Sequence, residues 1–243
     1  MTDERPPGTL FLVATPIGNL DDITVRARRV LGEVTLVAAE DTRHTRRLLD
    51  HLGIRVPIAS LFEHNERARI PRLIERLRGG DSIAVVTDAG SPGIADPGYP
   101  LVRSAIEAGL VVESIPGPSA VIAALQVSGL PTDAFTFVGF LPPRRAARRK
   151  RLEELLDRRE TIVAFESPHR IEETLEDLEA VWGGRPIALA REMTKTFEEV
   201  LRGTAAQVRE RLTVERRRGE MVLVLGGATR AERRAGHGAK GET

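Results

Sequence analysis

The chain has 243 residues, 41% of them apolar and 29% charged, with a formal net charge of +1 at pH 7. That composition excludes wholesale disorder, a collagen-like repeat and a coiled-coil rod, and the length allows one large domain or two modest ones with a real core. No apolar run reaches the roughly 18 residues a membrane-spanning helix needs. The opening MTDERPPG lacks the apolar segment of a signal peptide, and no cysteine is present for a disulfide, a thiolate nucleophile or a Cys-type metal site. The expectation is a cytoplasmic protein that does not associate with membranes.

In chain order, runs suited to buried strands lie at residues 9–14, 34–39, 83–86, 110–115, 135–140, 161–165, 187–190 and 221–225. Amphipathic stretches alternate with them. Ile23, Ala27, Val30 and Leu31 share one helical face, and residues 72–78, 101–108, 119–127, 149–156, 171–182 and 205–212 read the same way. Such alternation predicts an α/β fold with substantially parallel sheets. Ile115-Pro116-Gly117-Pro118 cannot continue a central strand and suits a boundary. We therefore expect an N-terminal α/β domain over residues 1–115, a C-terminal α/β domain over 116–227, and a disordered polar tail over 228–243.

Loops rich in Gly, Pro and carboxylates follow the predicted strands, at residues 15–19, 40–44, 87–98, 116–119, 166–170 and 191–195. Open α/β sheets bind ligands at the carboxyl ends of their strands. Any one such loop is more often a plain turn. Residues 87–98 (TDAGSPGIADPG) nevertheless spend three glycines, two prolines and two aspartates on a single connection, which favours a ligand loop. Neither G-x-G-x-x-G after the first strand nor a P-loop is present, so the usual dinucleotide and triphosphate cradles are excluded. Backbone and aspartate edges without phosphate clamps suit a nucleoside with an uncharged or cationic centre. The five histidines lack metal-ligand spacing and no calcium loop occurs, so no metal site is expected.

Arginine makes up 33 of the 36 basic residues. Two clusters stand out: Arg43, Arg46 and Arg47 around His44, and Arg144, Arg145, Arg148, Arg149, Lys150 and Arg151, six cations in eight residues. A solvated helix face is the bland explanation for the second cluster. Its charge density points instead to contacts with phosphate or carboxylate groups, with salt-sensitive affinity.

Six segments in order, VATPIGNLDDIT (13–24), AAEDTRHTRRLL (38–49), TDAGSPGIADPG (87–98), IPGPSA (115–120), FESPHRI (165–171) and REMTKTFEE (191–199), carry a specific resemblance. They resemble the bacterial small-subunit ribosomal RNA 2′-O-methyltransferases that modify a cytidine in the decoding centre, members of the tetrapyrrole methylase superfamily. The resemblance implies two α/β domains with S-adenosylmethionine in a cleft between them, and a homodimer acting on the small ribosomal subunit RNA. Its cofactor residues would be Pro16, Asp88, Gly90, Ser91, Gly93, Ile94, Asp96, Ser119, Ala120, Phe165 and Met221. Relatives often carry a further C-terminal helical segment where this chain has its polar tail.

A ribose hydroxyl is a poor nucleophile and benefits from a base that removes its proton. Glu40, Asp41 and His44, with Arg191, Glu192 and Lys195, are the candidates for the catalytic groups around the acceptor; Asp88 and Glu166 stand at similar loop edges. Lysine could serve as base only with a depressed pKa. Two other readings remain open: a tetrapyrrole methyltransferase on the same fold, and a non-catalytic ribosome-binding protein.

Overall fold

The computed structural model describes residues 6–229, which divide after Ser119 into two compact units. The first contains β1 (Thr9–Val13), α1 (Val25–Glu33), β2 (Leu36–Ala39), α2 (Thr42–His51), β3 (Ile58–Ser60), α3 (Glu66–Arg78), β4 (Ile83–Val86), α4 (Tyr99–Glu107) and β5 (Val111–Ile115). Its five strands are all parallel in the order β3-β2-β4-β1-β5.

Strands buried on both faces need apolar residues at every position, and β2 (LVAA) and β4 (IAVV) meet this with no exposed residue. Alternate side chains serve two cores. Val13, Val37, Ala39 and Val86 pack with Val30 and Leu31 of α1 and Leu48 and Leu49 of α2. Leu10, Leu36, Ala38 and Val85 pack with Leu73 and Leu77 of α3 and Leu101 and Ala105 of α4. The sheet is thus doubly wound.

The second unit runs α5 (Ala120–Ser128), β6 (Phe135–Phe140), α6 (Arg145–Leu155), β7 (Thr161–Glu166), α7 (Ile171–Trp182), β8 (Ile187–Arg191), β9 (Glu199–Gly203), α8 (Ala205–Arg211) and β10 (Met221–Leu225). Its sheet has the order β6-β7-β10-β8-β9. One face is covered by Leu152, Leu175, Leu178, Trp182 and Val208 from α6, α7 and α8, and α5 packs against β7, β8, β9 and β10.

Here the expectation of largely parallel sheets fails. Only β6 and β7 run parallel; β10 is antiparallel to both β7 and β8, and β9 is antiparallel to β8. Residues 192–198 join β8 to β9 as a hairpin, too short a link for a parallel crossover.

Two strands, β3 and β9, and helix α2 lie where no such element was expected. Helix α3 begins at Glu66, six residues before the predicted start, and continues through Pro71. Ala228 is buried and its N–H donates to the Arg158 carbonyl, 2.6 Å away. The remainder of the expected tail, from residue 230, lies outside the described residues. No helix among the described residues is long and apolar enough to cross a membrane.

Candidate active site

In the first unit, adjacent strands β1 and β4 send their chains to opposite faces of the sheet, β1 to α1 and β4 to α4. Such a switch point leaves a crevice at the carboxyl ends of the strands. The loops leaving them are laced together. Thr15 N–H donates to Gly90 O at 2.9 Å, Gly90 N–H donates to Thr15 O at 3.1 Å, and the Thr15 hydroxyl donates to Thr87 O at 3.1 Å. Pro16, next in line, is buried. The Pro116-Gly117-Pro118 turn closes on the same exit: a Cβ on Gly117 would come within 3.1 Å of Ala14 Cβ.

Residues 87–98 hold an unusual backbone. Gly90, Gly93, Ala95 and Gly98 all have positive φ, of +79°, +79°, +64° and +134°. Ala95 carries a Cβ into the left-handed region, at a cost on the order of 1–2 kcal/mol. At Gly98, φ +134° is open essentially to glycine alone, and a Cβ there would also press to 3.3 Å from Gly93 N. Gly93 N–H donates to Pro97 O at 3.0 Å, folding the loop on itself. Its last residue is fixed from below, because Gly98 N–H donates to the buried carboxylate of Glu66 at 3.1 Å. Sequence reasoning missed Glu66; an acid in the first turn of a helix reads as a dipole partner, not as a loop anchor. Of the predicted ligand residues in this loop, Asp88, Ser91, Gly93 and Asp96 are half-buried, Gly90 is buried and Ile94 is exposed.

Carboxylates from neighbouring strands meet at this edge. Asp88 N–H donates to Glu40 Oε2 at 3.4 Å, and Asp41 N–H donates to Asp88 Oδ1 at 3.1 Å. Burial raises the Glu40 pKa above the ordinary carboxylate value; the Asp88 N–H opposes this, and the Asp88 and Asp41 charges add to the rise. Its neighbour Asp41 is the opposite case. It caps α2, accepting from Arg43 N at 2.7 Å and His44 N at 3.4 Å, and pairs with the Arg43 guanidinium at 3.2 Å. Those contacts, led by the Arg43 side chain, lower its pKa to about 2. Asp41 is thus engaged as a cap, with its pKa shifted in the direction opposite to that of Glu40. Arg43, His44, Arg46 and Arg47 lie on the first turns of α2, all exposed, where a loop was expected through residue 44.

The second unit collects its predicted residues at one end of its sheet. Phe140 aligns with Phe165, Glu166 with Met221, Met221 with Arg191, and Arg191 with Glu199. Phe165 packs in an aromatic group, its ring 4.9 Å from Phe137 and 5.4 Å from Phe140, and Met221 is buried in the core. Glu166 is buried, pairs with Arg170 at 2.7 Å and accepts from the Thr174 hydroxyl at 2.7 Å, which spends it on the start of α7.

Arg191, Glu192 and Lys195 come together as predicted. Lys195 Nζ lies 3.0 Å from Glu192 Oε1 and 3.3 Å from Glu220 Oε2, and Glu192 Oε1 also accepts from Glu220 N at 3.0 Å. Burial opposes the charge on Lys195, but Glu192 and Glu220 outweigh it and its pKa is raised. Burial likewise opposes ionisation of Glu192, and Lys195, the Glu220 N–H and Arg191 hold its carboxyl below the usual range. A raised pKa favours the protonated form, which suits Lys195 to an electrostatic role rather than to that of a base. Glu192 and Thr194 both have positive φ, +50° and +65°. Arg191 is buried, its guanidinium donating to Phe197 O at 3.2 Å and approaching Glu199 at 3.4 Å, with Nε unpartnered.

The second basic cluster is not the open track expected of it. Arg148 is fully buried, with its guanidinium 2.8 Å from the equally buried Asp177. Arg145 and Arg149 reach the same carboxylate at 2.9 and 2.6 Å. Arg148 therefore holds α6 to α7 and cannot contact RNA, whereas Arg144 and Lys150 are exposed. Ser119 and Ala120 are half-buried where the first unit ends and α5 begins.

The loops at residues 14–19, 87–98 and 115–119 contain no lysine or arginine, and with Glu40 and Asp88 beside them they suit a cation or a neutral nucleoside and repel a polyphosphate. That donor set fits an adenosyl sulfonium. Among the described residues no group of three or more acids and histidines is arranged to hold a metal ion.

Comparison with known proteins agrees with this fold. The profile of the Tetrapyrrole (Corrin/Porphyrin) Methylases matches residues 9–209. The chain is 52% identical over 225 residues to a protein of Xylella fastidiosa named ribosomal RNA small subunit methyltransferase I, covering 91% of this chain and 82% of that one. It is 50% identical over 223 residues to the protein of the same name from Pseudomonas aeruginosa, covering 90% and 79%. Among solved structures, uroporphyrin-III C-methyl transferase from Thermus thermophilus complexed with S-adenyl homocysteine shares the fold, with a TM-score of 0.61 at 19% identity over 90% of this chain and 97% of that one. The chain belongs to the tetrapyrrole (corrin/porphyrin) methylase family and, within it, to the ribosomal RNA small subunit methyltransferase I proteins.

Proposed function

We propose that this chain, as a cytoplasmic homodimer, methylates the ribose 2′-hydroxyl of a cytidine in the decoding centre of small-subunit ribosomal RNA, with S-adenosylmethionine as methyl donor. The observation that carries the reading is the edge where Glu40, with a raised pKa, and Asp88 stand beside a glycine loop free of cationic side chains. The shared name of relatives about 50% identical to it supports an RNA substrate.

S-adenosylmethionine, when bound, supplies an electrophilic methyl group on a sulfonium centre. Asp88, Gly90, Ser91, Gly93, Ile94 and Asp96, with Pro16 from the first loop, would hold it through backbone and carboxylate. Ser119, Ala120, Phe165 and Met221 would complete its surroundings. Glu40 is the proton acceptor of this reading: a carboxylate whose pKa is raised toward the working pH takes a hydroxyl proton more effectively than an ordinary surface acid. Lys195, kept cationic by Glu192 and Glu220, acts through its charge, with Arg191 behind it. Arg43, Arg46, Arg47, Arg144, Arg145, Arg149 and Lys150 supply the phosphate contacts.

The test is transfer of tritium from labelled S-adenosylmethionine to undermethylated small ribosomal subunits, followed by mapping of the label, with free porphyrinoid offered in parallel. A single labelled 2′-O-methylcytidine is the expected product. Label on a base, label only on the porphyrinoid, or no transfer overturns the reading. Sedimentation equilibrium at a mass near that of one chain refutes the homodimer.

A further inference from the structure

The hairpin between β8 and β9 carries an aromatic ring at its tip that packing does not explain. Phe197 is 72% exposed, more than any other aromatic residue among those described. The chain has only seven phenylalanines, one tyrosine and one tryptophan, so an aromatic left in water is a costly use of a scarce residue.

The ring is also presented from a fixed backbone. Buried Arg191 donates to the Phe197 carbonyl at 3.2 Å. Lys195 N–H donates to Glu192 O at 3.0 Å, Glu198 N–H donates to Lys195 O at 3.1 Å, and the Glu198 carboxylate accepts the Thr194 N–H. Glu192 and Thr194 hold left-handed backbone without being glycine, which costs on the order of 1–3 kcal/mol each. A chain under that strain, pinned by a buried guanidinium, holds its tip in one conformation. The acids around it are engaged, Glu192 by Lys195 and Glu199 by Arg191 and Arg216. Lys195, the one cation of the loop, is likewise held, by Glu192 and Glu220. The tip offers a rigid, uncharged π-face, which stacks on any nucleobase.

We propose that Phe197 is a base-stacking contact for an unpaired nucleotide of the RNA substrate, held out by the strained hairpin that begins with Arg191. The proposal rests on the reading of the chain as an RNA methyltransferase. Extruding a nucleotide for reaction at its sugar costs stacking energy, and an aromatic face on the protein that stacks on an unpaired base restores part of it.

The experiment compares the full-length wild type with Phe197→Ala, Phe197→Leu and Phe197→Trp on undermethylated small subunits, measuring subunit binding and the KM for methyl transfer. Calorimetry with S-adenosylmethionine and sedimentation equilibrium accompany each variant. Loss of one base–aromatic stack predicts roughly five- to 150-fold weaker subunit binding for Phe197→Ala. Phe197→Trp restores binding and Phe197→Leu does not, while donor affinity and mass stay unchanged. Wild-type binding by Phe197→Ala, equal rescue by leucine and tryptophan, or a fall in mass marking a protein–protein contact overturns the proposal. A wild type that binds and methylates no subunits refutes the functional reading itself, and this proposal with it.

Discussion

Replacing Asp177 by alanine should destabilise the second unit by breaking the buried ion cluster that ties α6 to α7. The Asp177 carboxylate is fully buried and receives Nε donors from Arg145 at 2.9 Å, Arg148 at 2.8 Å and Arg149 at 2.6 Å. Removing one partner of a buried ion pair costs about 3–5 kcal/mol, because the other charge is left in low dielectric. Arg148 would keep Glu173 at 3.2 Å and the Pro143 carbonyl at 3.4 Å, and Arg145 and Arg149 are about half exposed and can turn to water. The loss therefore belongs at the lower end, about 3 kcal/mol. In a chain of this size each kcal/mol moves Tm by about 2–4 °C, so circular dichroism should show a fall of roughly 6–12 °C at pH 7.

The effect should depend on pH with a definite sign. Burial pushes the Asp177 pKa up, but the hydrogen bonds from Arg149, Arg145 and Arg148 outweigh it and the folded value is depressed. A depressed carboxylate contributes stability above its unfolded pKa and loses it as pH falls through the folded value. The gap between wild type and Asp177→Ala should thus narrow in acid. Replacing both charges, Arg148→Met with Asp177→Leu, should recover most of the loss. A Tm for Asp177→Ala within about 2 °C of wild type, or a double variant no better than the single one, refutes the argument.

Glu40→Gln should lower kcat roughly 10²- to 10⁴-fold in the tritium-transfer assay. It should at the same time raise Tm slightly at neutral pH: a folded pKa above the unfolded one makes the ionised group a liability as pH rises through it. A variant with wild-type kcat removes Glu40 as the proton acceptor. Glu66→Ala, which frees Gly98 N–H, should raise the KM for S-adenosylmethionine more than it lowers kcat, and Glu66→Gln should restore it; equal behaviour of the two variants speaks against a loop anchor. Gly219→Ala places a Cβ 2.0 Å from Glu192 Oε1 at φ +79° and should cost about 1–2 kcal/mol in strain while prising Glu192 from Lys195; unaltered thermal stability contradicts it.

The parallel sheet of the first unit was legible because strands such as IAVV, buried on both faces, leave an uninterrupted apolar run. β3, with three half-buried residues, leaves no run at all, and β9 interrupts Val200 and Leu201 with charge on either side. Helix α2 was hidden by its own cap: Glu40-Asp41-Thr42 has the composition of a loop, and Asp41 is where that loop ends and the helix begins. The expected start of α3 lay just after Pro71, a residue that removes a backbone bond from a helix interior; the helix nevertheless runs through it from Glu66.

Residue types at the site were legible, and their environments were not. Glu40 and Asp41 are adjacent acids with opposite fates. Burial beside Asp88 raises one, while capping α2 and pairing with Arg43 lowers the other. Lys195 was placed beside the right neighbours, yet whether they depress or raise its pKa depends on which side chains reach its ammonium, a question of tertiary distance. The arginine cluster shows where more could have been read. Arg145, Arg148 and Arg149 stand at i, i+3 and i+4, and so do Glu173, Glu176 and Asp177 on the other helix. Two stripes of equal spacing and opposite charge on amphipathic helices are complementary faces. Matching them predicts an α6–α7 contact, and it separates Arg148, on the stripe, from Lys150, which has no cation three or four residues away. Density of charge alone cannot make that distinction, because a cation facing a buried carboxylate and one facing water are identical until the opposite face is identified.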